Sequence, residues 1–284
     1  MKRNFCIGSE WLYYKIYAGI KTSDLLLAEK LQPIIEDLKV EGIIDKWFFI
    51  RYKDPSEHIR IRFYNNKIAN LSVVIARLYP VLNELLEQDV IWKVQTDTYQ
   101  REIERYGEHT MEDSETIFWH DSELIIKYLD LKDSFIQEET QLLFSFLAID
   151  RFLNSFLTSN TEKLEIMDVL QSSFKKEFDA DKNLRKEMDK YFRRFEGDIN
   201  DFLDGVVKNE FPEIFEAIQE KQNQIDKAVV SIKENLTISL PEFLMSHIHM
   251  MINRQYNSRQ RMYEALLYDQ LHRYYKTKEF SRSI

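Results

Sequence analysis

Residues 48–64 read FFIRYKDPSEHIRIRFY. Aromatic and β-branched residues crowd both ends, and KDPSE between them contains Asp54, Pro55 and Ser56, residue types that favour tight turns. The stretch therefore reads as a hairpin of two strands, WFFIRY (47–52) and HIRIRFY (58–64). Strand side chains alternate between two faces, so Ile59, Ile61 and Phe63 share one face. His58, Arg60, Arg62 and Tyr64 share the other. The face of Arg51 depends on the pairing register. Three arginines in so apolar a hairpin pose the central question of the chain.

Working outward, WLYYKIYAGI (11–20) is a third strand, and VIWKVQTDTY (90–99) a fourth. Between the first strand and the hairpin, Thr22, Ser23 and Asp24 offer helix caps. A helix then follows through Leu27, Leu31, Ile34, Ile35 and Leu38, with a kink expected at Pro33. A second helix fits residues 67–88, with Leu71, Val74, Ile75, Leu78, Leu82, Leu85 and Leu86 on one side. The order is β-α-β-β-α-β, a split, ferredoxin-like sheet. After Gly107 every long segment has helical periodicity, including 114–129, 138–157, 161–178, 182–205, 212–236, 240–256 and 258–278. The expected class is α+β: a sheet region over 1–108, and a largely helical region over 109–284 packed on it. No Ser/Pro/Gly-rich linker divides the two, which points to one integrated domain.

The 284 residues carry a formal net charge of −9, with 44% hydrophobic and 31% charged residues, a soluble globular balance. That charge disfavours generic attraction to nucleic acid. The aromatic strands carry no RNP-like motif, so an RNA-binding sheet is disfavoured too. One cysteine, Cys6, builds no disulfide framework, and no Cys/His cluster has zinc-ligand spacing, so no metal is expected. No secretory signal or membrane-spanning run is visible, and a cytoplasmic location is the simplest expectation. Gly (6) and Pro (5) are scarce, and no glycine-rich phosphate cradle is present.

Chemistry-bearing residues fall in three stretches. Arg60 and Arg62 lie two apart on one strand face, where they repel unless an anion sits near them. Glu or Asp from the helical half would satisfy them structurally; a carboxylate or phosphate ligand would do so functionally. TYQREIERYGEH (98–109) adds Tyr99, Arg101 and Arg105, with Glu102 and Glu104 available as local counter-ions. SHIHMMINR (246–254) places His249 and Asn253 one turn apart on a shared helix face, with His247 pointing elsewhere. A histidine there is either a hydrogen-bonded core residue or a general base.

Taken together, EWLYYKIY, FFIRYKDPSEHIRIRF, YQREIERYG and HIHMMINR resemble, in order, the C-terminal elimination domain of the lantibiotic dehydratases. This is also known as the thiopeptide-type bacteriocin biosynthesis domain. The hairpin pattern F-I-R-Y-x-D-P-x-x-H-I-R-x-R is its most specific part. The resemblance implies removal of glutamate from glutamylated Ser or Thr of a ribosomally made precursor peptide, leaving dehydroalanine or dehydrobutyrine, without a cofactor. By motif it implies catalytic roles for Arg62, Arg101 and His249. It places Arg60, Arg51, His58, Tyr99, Asn253 and Arg254 at the substrate. It further implies a separate glutamylating dehydratase subunit as partner, and a homodimer as one expected state, since related full-length enzymes dimerise. The family's second histidine is replaced here by the Met250-Met251-Ile252 stretch. Two other readings stand beside elimination: the formal cycloaddition that builds thiopeptide rings, and a non-catalytic subunit that presents the precursor peptide.

Overall fold

The computed structural model describes residues 1–132, 135, 139–179 and 182–281. Among the described residues there are six strands: β1 (Asn4–Phe5), β2 (Trp11–Ala18), β3 (Lys46–Lys53), β4 (Glu57–Tyr64), β5 (Ile91–Thr96) and β6 (Tyr99–Gln100). In the sheet region the helices are α1 (Ile20–Leu25), α2 (Gln32–Val40), α3 (Asn70–Glu87) and the short α4 (Ile103–Tyr106). The rest of the chain supplies α5 (Met111–Lys132), α6 (Glu139–Phe156), α7 (Asn160–Glu177), α8 (Lys182–Leu203), α9 (Pro212–Asn235), α10 (Leu240–Gln255) and α11 (Gln260–Ser281). The expected helix start at Glu138 lies outside the described residues.

The main sheet has the order β3-β4-β2-β5, and all three pairings are antiparallel. That is the strand order of the split β-α-β-β-α-β arrangement, and the α+β class holds. A second ribbon, β1 with β6, pairs Asn4 with Gln100 and Phe5 with Tyr99. Two-residue strands are too short to show a period of two, so sequence periodicity passes over them.

The first crossover helix departs from expectation in two ways. Its N-cap is Gly19, so the Thr22-Ser23-Asp24 cluster lies inside the helix. There Ser23 and Asp24 serve tertiary partners, as described below. The irregularity is a π-helical turn, Leu26–Leu31, which comes just before Pro33 at the start of α2. Pro33 has no N–H to donate and its ring crowds the carbonyl four residues back. The wider turn accommodates both.

Register fixes which side chains share a face. Arg51 pairs with Ile59, Phe49 with Ile61 and Trp47 with Phe63, whereas Phe48 pairs with Arg62, Ile50 with Arg60 and Tyr52 with His58. Arg51 thus stands on the Ile59 face, where α1 packs, opposite Arg60 and Arg62. Its guanidinium is buried there, donating to Ser23 Oγ at 2.7 Å and to the Arg254 carbonyl at 2.8 Å. It also pairs with Asp24 at 2.7 Å. All of these partners are internal, so Arg51, expected by motif at the substrate, cross-links β3 to α1 and α10.

The helical region closes the outer edge of β3. Phe49 N–H donates to Ser122 Oγ of α5 (3.1 Å), and Arg51 N–H donates to Asn253 Oδ1 of α10 (3.0 Å). Asn253 Nδ2 returns a bond to the Arg51 carbonyl (2.9 Å), and Arg254 Nε donates to the Phe49 carbonyl (2.9 Å). Side chains thus replace the neighbouring strand that an edge lacks. Asn253 is committed to this edge, so it is a strut and not the substrate contact expected from the motif. Asn253→Ala strands a buried N–H and a carbonyl, and urea unfolding should register a loss of about 1–3 kcal/mol.

Candidate active site

On the Arg62 face the sheet is covered at one end only. Trp11, Tyr13 and Phe48 meet the β6 residue Tyr99 and the α5 residue Phe118 there, with ring centroids 5.2 Å (Trp11–Tyr99) and 5.4 Å (Phe48–Phe118) apart. Between them a narrow cleft is lined by Phe48, Arg62, Tyr99, Glu102, Met250 and Arg254, among others. A larger cavity of about 380 Å³ lies between α2, α5 and α9, but its Lys39 and Lys127 are already paired with Glu123 and Glu220. The cleft is where charge is left unpaired.

Arg62 is 7% exposed, and its Nε and Nη1 are buried without a hydrogen-bond partner. Its Cζ lies 4.2 Å from the Tyr13 ring centroid, 4.9 Å from Tyr99 and 5.1 Å from Phe48. Among the described residues no carboxylate pairs with it. Burial pulls its pKa below the ordinary arginine value, with the facing Tyr13 and Tyr99 hydroxyls acting the other way. A guanidinium nevertheless stays charged at any working pH. The rings stabilise the cation through their π faces but cannot satisfy its N–H groups. Buried unsatisfied donors are rare and costly, and an anionic ligand would complete these.

Arg254 stands behind the cleft with a second open donor. It is fully buried, with Nη1 donating to the Met250 carbonyl at 3.0 Å and forming a long ion pair with Asp121 at 3.8 Å, while Nη2 has no hydrogen-bond partner. It is one of the residues that line the cleft.

Arg101 is arranged differently. Its Nε and Nη2 each donate to Glu115 at 2.7 Å, and Nη1 reaches Glu112 and the Lys2 carbonyl. Tyr99 Oη also donates to Glu115, at 2.9 Å. Burial works against the Arg101 charge, but Glu115 more than offsets this and holds the guanidinium above its ordinary value. With 3% exposure and its fork occupied, Arg101 offers a substrate nothing directly. It anchors Tyr99, and through that ring the wall beside Arg62.

At the open end of the same face, Tyr17 stacks on His58 at 4.6 Å and Arg60 Cζ lies 3.4 Å over the Tyr52 ring. His58 Nδ1 lies 2.8 Å from the Ser56 carbonyl and its Nε2 accepts from Arg60 Nε at 3.0 Å, which fixes the Nδ1–H tautomer. Burial, then the Arg60 charge, hold its pKa below the usual histidine value. His58 is therefore a neutral prop for Arg60, and it is Arg60 that faces outward.

His249 occupies the flank of α10 that faces α11, one residue before the cleft-lining Met250. Its Nδ1 is hydrogen-bonded to Glu264, which is 1% exposed, and its own side chain is 40% exposed. His247 points the other way. It is packed among Tyr106, Phe118, Phe152 and Phe243, and burial pushes its pKa well down. Three contributors escaped the sequence reading: Tyr13, Glu115 and Glu264. The helical phase of Glu264 with Tyr268 and Leu271 is a usable signal, since both are buried.

The profile of the family described as "Lantibiotic biosynthesis dehydratase C-term" matches residues 11–275. The chain belongs to that family. It is 30% identical over 181 residues to the subtilin biosynthesis protein SpaB of Bacillus subtilis, covering 62% of this chain and 17% of that protein. It is 25% identical over 280 residues to the nisin biosynthesis protein NisB of Lactococcus lactis subsp. lactis, covering 96% and 26%. It thus spans about a quarter or less of these relatives. In fold it is similar to the tRNA-dependent lantibiotic dehydratase MibB from Microbispora sp. 107891 (TM-score 0.77, 20% identity, 98% of this chain and 29% of that one). It is also similar to TbtD, a pyridine synthase from thiomuracin biosynthesis (TM-score 0.66, 13% identity, 95% and 100%).

Breaking the Arg101–Glu115 pair leaves one buried charge without its partner. Arg101→Ala should therefore cost about 3–5 kcal/mol in urea unfolding. A loss below about 1 kcal/mol, the range of exposed pairs, would contradict its place as a buried anchor.

Proposed function

We propose that this protein eliminates glutamate from glutamylated Ser or Thr residues of a ribosomally made precursor peptide. The observation that carries the reading is Arg62, a buried guanidinium whose Nε and Nη1 are open, in a cleft whose own carboxylate, Glu102, is paired with Arg105. Family membership supports the peptide as substrate class.

The chemistry asks for two things. A base must take the α-proton of the esterified residue, after which the Cβ–O bond breaks, Cα=Cβ forms and glutamate departs as a carboxylate. Negative charge develops first on the enolate and then on the leaving group, so preorganised cations lower the barrier. Arg62 supplies the open cation, with Arg254 beside it and Arg60 toward the exposed end of the face. Tyr99, held by Glu115 and Arg101, keeps the Arg62 wall in place. His249 is the base, with Nε2 directed away from Glu264. Glu102 is the carboxylate of the cleft and interacts with Arg105 at 3.2 Å.

Cycloaddition is the second reading, favoured by the similarity to TbtD over the whole of that chain. Offering the protein a glutamylated peptide, and separately an already dehydrated one, distinguishes the two. Elimination predicts loss of glutamate from the first and no change in the second.

Arg62→Ala should slow elimination about 10²–10³-fold, with glutamylated peptide accumulating in the mass spectrum. Removing an unpaired buried charge leaves no broken partner behind, so thermal unfolding should not worsen. Dehydration at the wild-type rate would exclude Arg62 from the reaction.

A further inference from the structure

The His249 imidazole does not stand alone. Its Nδ1 meets Oε1 of Glu264, and the other carboxylate oxygen accepts from Arg261 Nη1 at 2.5 Å. Arg261 is itself held from α7, by an ion pair with Glu177 and by the Phe174 ring 4.0 Å from its Cζ. Glu264 is 1% exposed, so neither oxygen is exchanged for water, while His249 is 40% exposed. Of the elements that pack here, α11 brings Glu264 and Arg261 to the imidazole and α7 brings Glu177 through Arg261. None of these groups lines the cleft, and the elimination reading leaves them without a role.

We propose that Glu264 is the positioning residue of the eliminating base, locking His249 in the tautomer whose Nε2 is free to take a proton; this rests on the elimination reading above. An ionised carboxylate only accepts hydrogen bonds, so the neutral imidazole must keep its proton on Nδ1. Nε2 then carries the lone pair on the side away from Glu264. When Nε2 takes the α-proton the ring becomes an imidazolium whose Nδ1–H still points at Glu264, and the charge created is met where it forms. The electron pair of the broken Cα–H bond becomes the new double bond and the Cβ–O pair leaves with glutamate, so no further reactant is required. The arrangement follows the logic by which a buried aspartate orients the histidine of serine hydrolases. Arg261 has the complementary task of fixing the Glu264 carboxylate in place.

Glu264→Gln tests this with little change of shape. The amide oxygen is drawn to the Arg261 guanidinium, which has only donors, so the NH₂ group faces His249. Nδ1 must then accept, the ring proton moves to Nε2, and the base is blocked. The expected result is a fall in kcat for elimination of about 10³–10⁴-fold, the scale of the analogous Asp-to-Asn change, with KM and melting temperature nearly unchanged. Nitrogen-15 histidine spectra should show Nδ1–H in the wild type and Nε2–H in the variant. A wild-type kcat in E264Q, or an Nε2–H tautomer in the wild-type protein, would overturn the proposal; the second needs no variant to fold. His249→Ala separates the levels. An inactive His249→Ala beside an active E264Q removes only the positioning role, whereas an active His249→Ala removes the base assignment itself.

Discussion

Arg62 carries its charge into a pocket of aromatic rings where, among the described residues, no carboxylate is hydrogen-bonded or ion-paired to it. That placement is unfavourable by itself, because a buried guanidinium loses its water and here recovers only the π faces of Tyr13, Phe48 and Tyr99. It persists because its strand is the second of four and cannot shift register without turning Ile59, Ile61 and Phe63 out of the core. The sheet therefore holds a cation that folding alone would not favour. Local cost sustained by a rigid scaffold is a common mark of a functional site.

Much of the rest of the structure holds that cation in place and ties the helix of His249 to the sheet. Glu115 on α5 saturates Arg101 and captures the Tyr99 hydroxyl, so the ring above Arg62 cannot swing away. Asn253 and Arg254 on α10 pin that helix to the backbone of β3, and the same helix carries His249. Arg62 and His249 thus sit on separate elements, the sheet and α10, that hydrogen bonds tie together. Arg51 and Asn253, which the motif assigns to the substrate, are bonded internally and join the sheet to α10.

How much of this was legible beforehand follows from the range of each interaction. Periods of two and 3.6 are local, so the main-sheet strands and most helices could be read, as could the faces of β4 that separate Arg62 from Ile61. Pairing partners are not local. Arg51 changes face with a one-residue shift in β3, which its own sequence does not specify, and the observed register puts it among α1 side chains. The saturation of Arg101 depends on Glu115, brought close by the turn after α4. The Glu264–His249 contact joins two helices whose approach no motif encodes. The resemblance carried by FIRYKDPSEHIRIRF is borne out as family membership, while the division of labour among its arginines needed coordinates.

The most direct test of the account is a single-turnover assay of the wild-type protein with a chemically glutamylated precursor peptide, without tRNA or any other protein. The account predicts release of free glutamate and a matching dehydrated residue in the peptide mass spectrum. Glutamylated peptide that stays intact, while the same preparation is folded and converts an already dehydrated peptide, would contradict it.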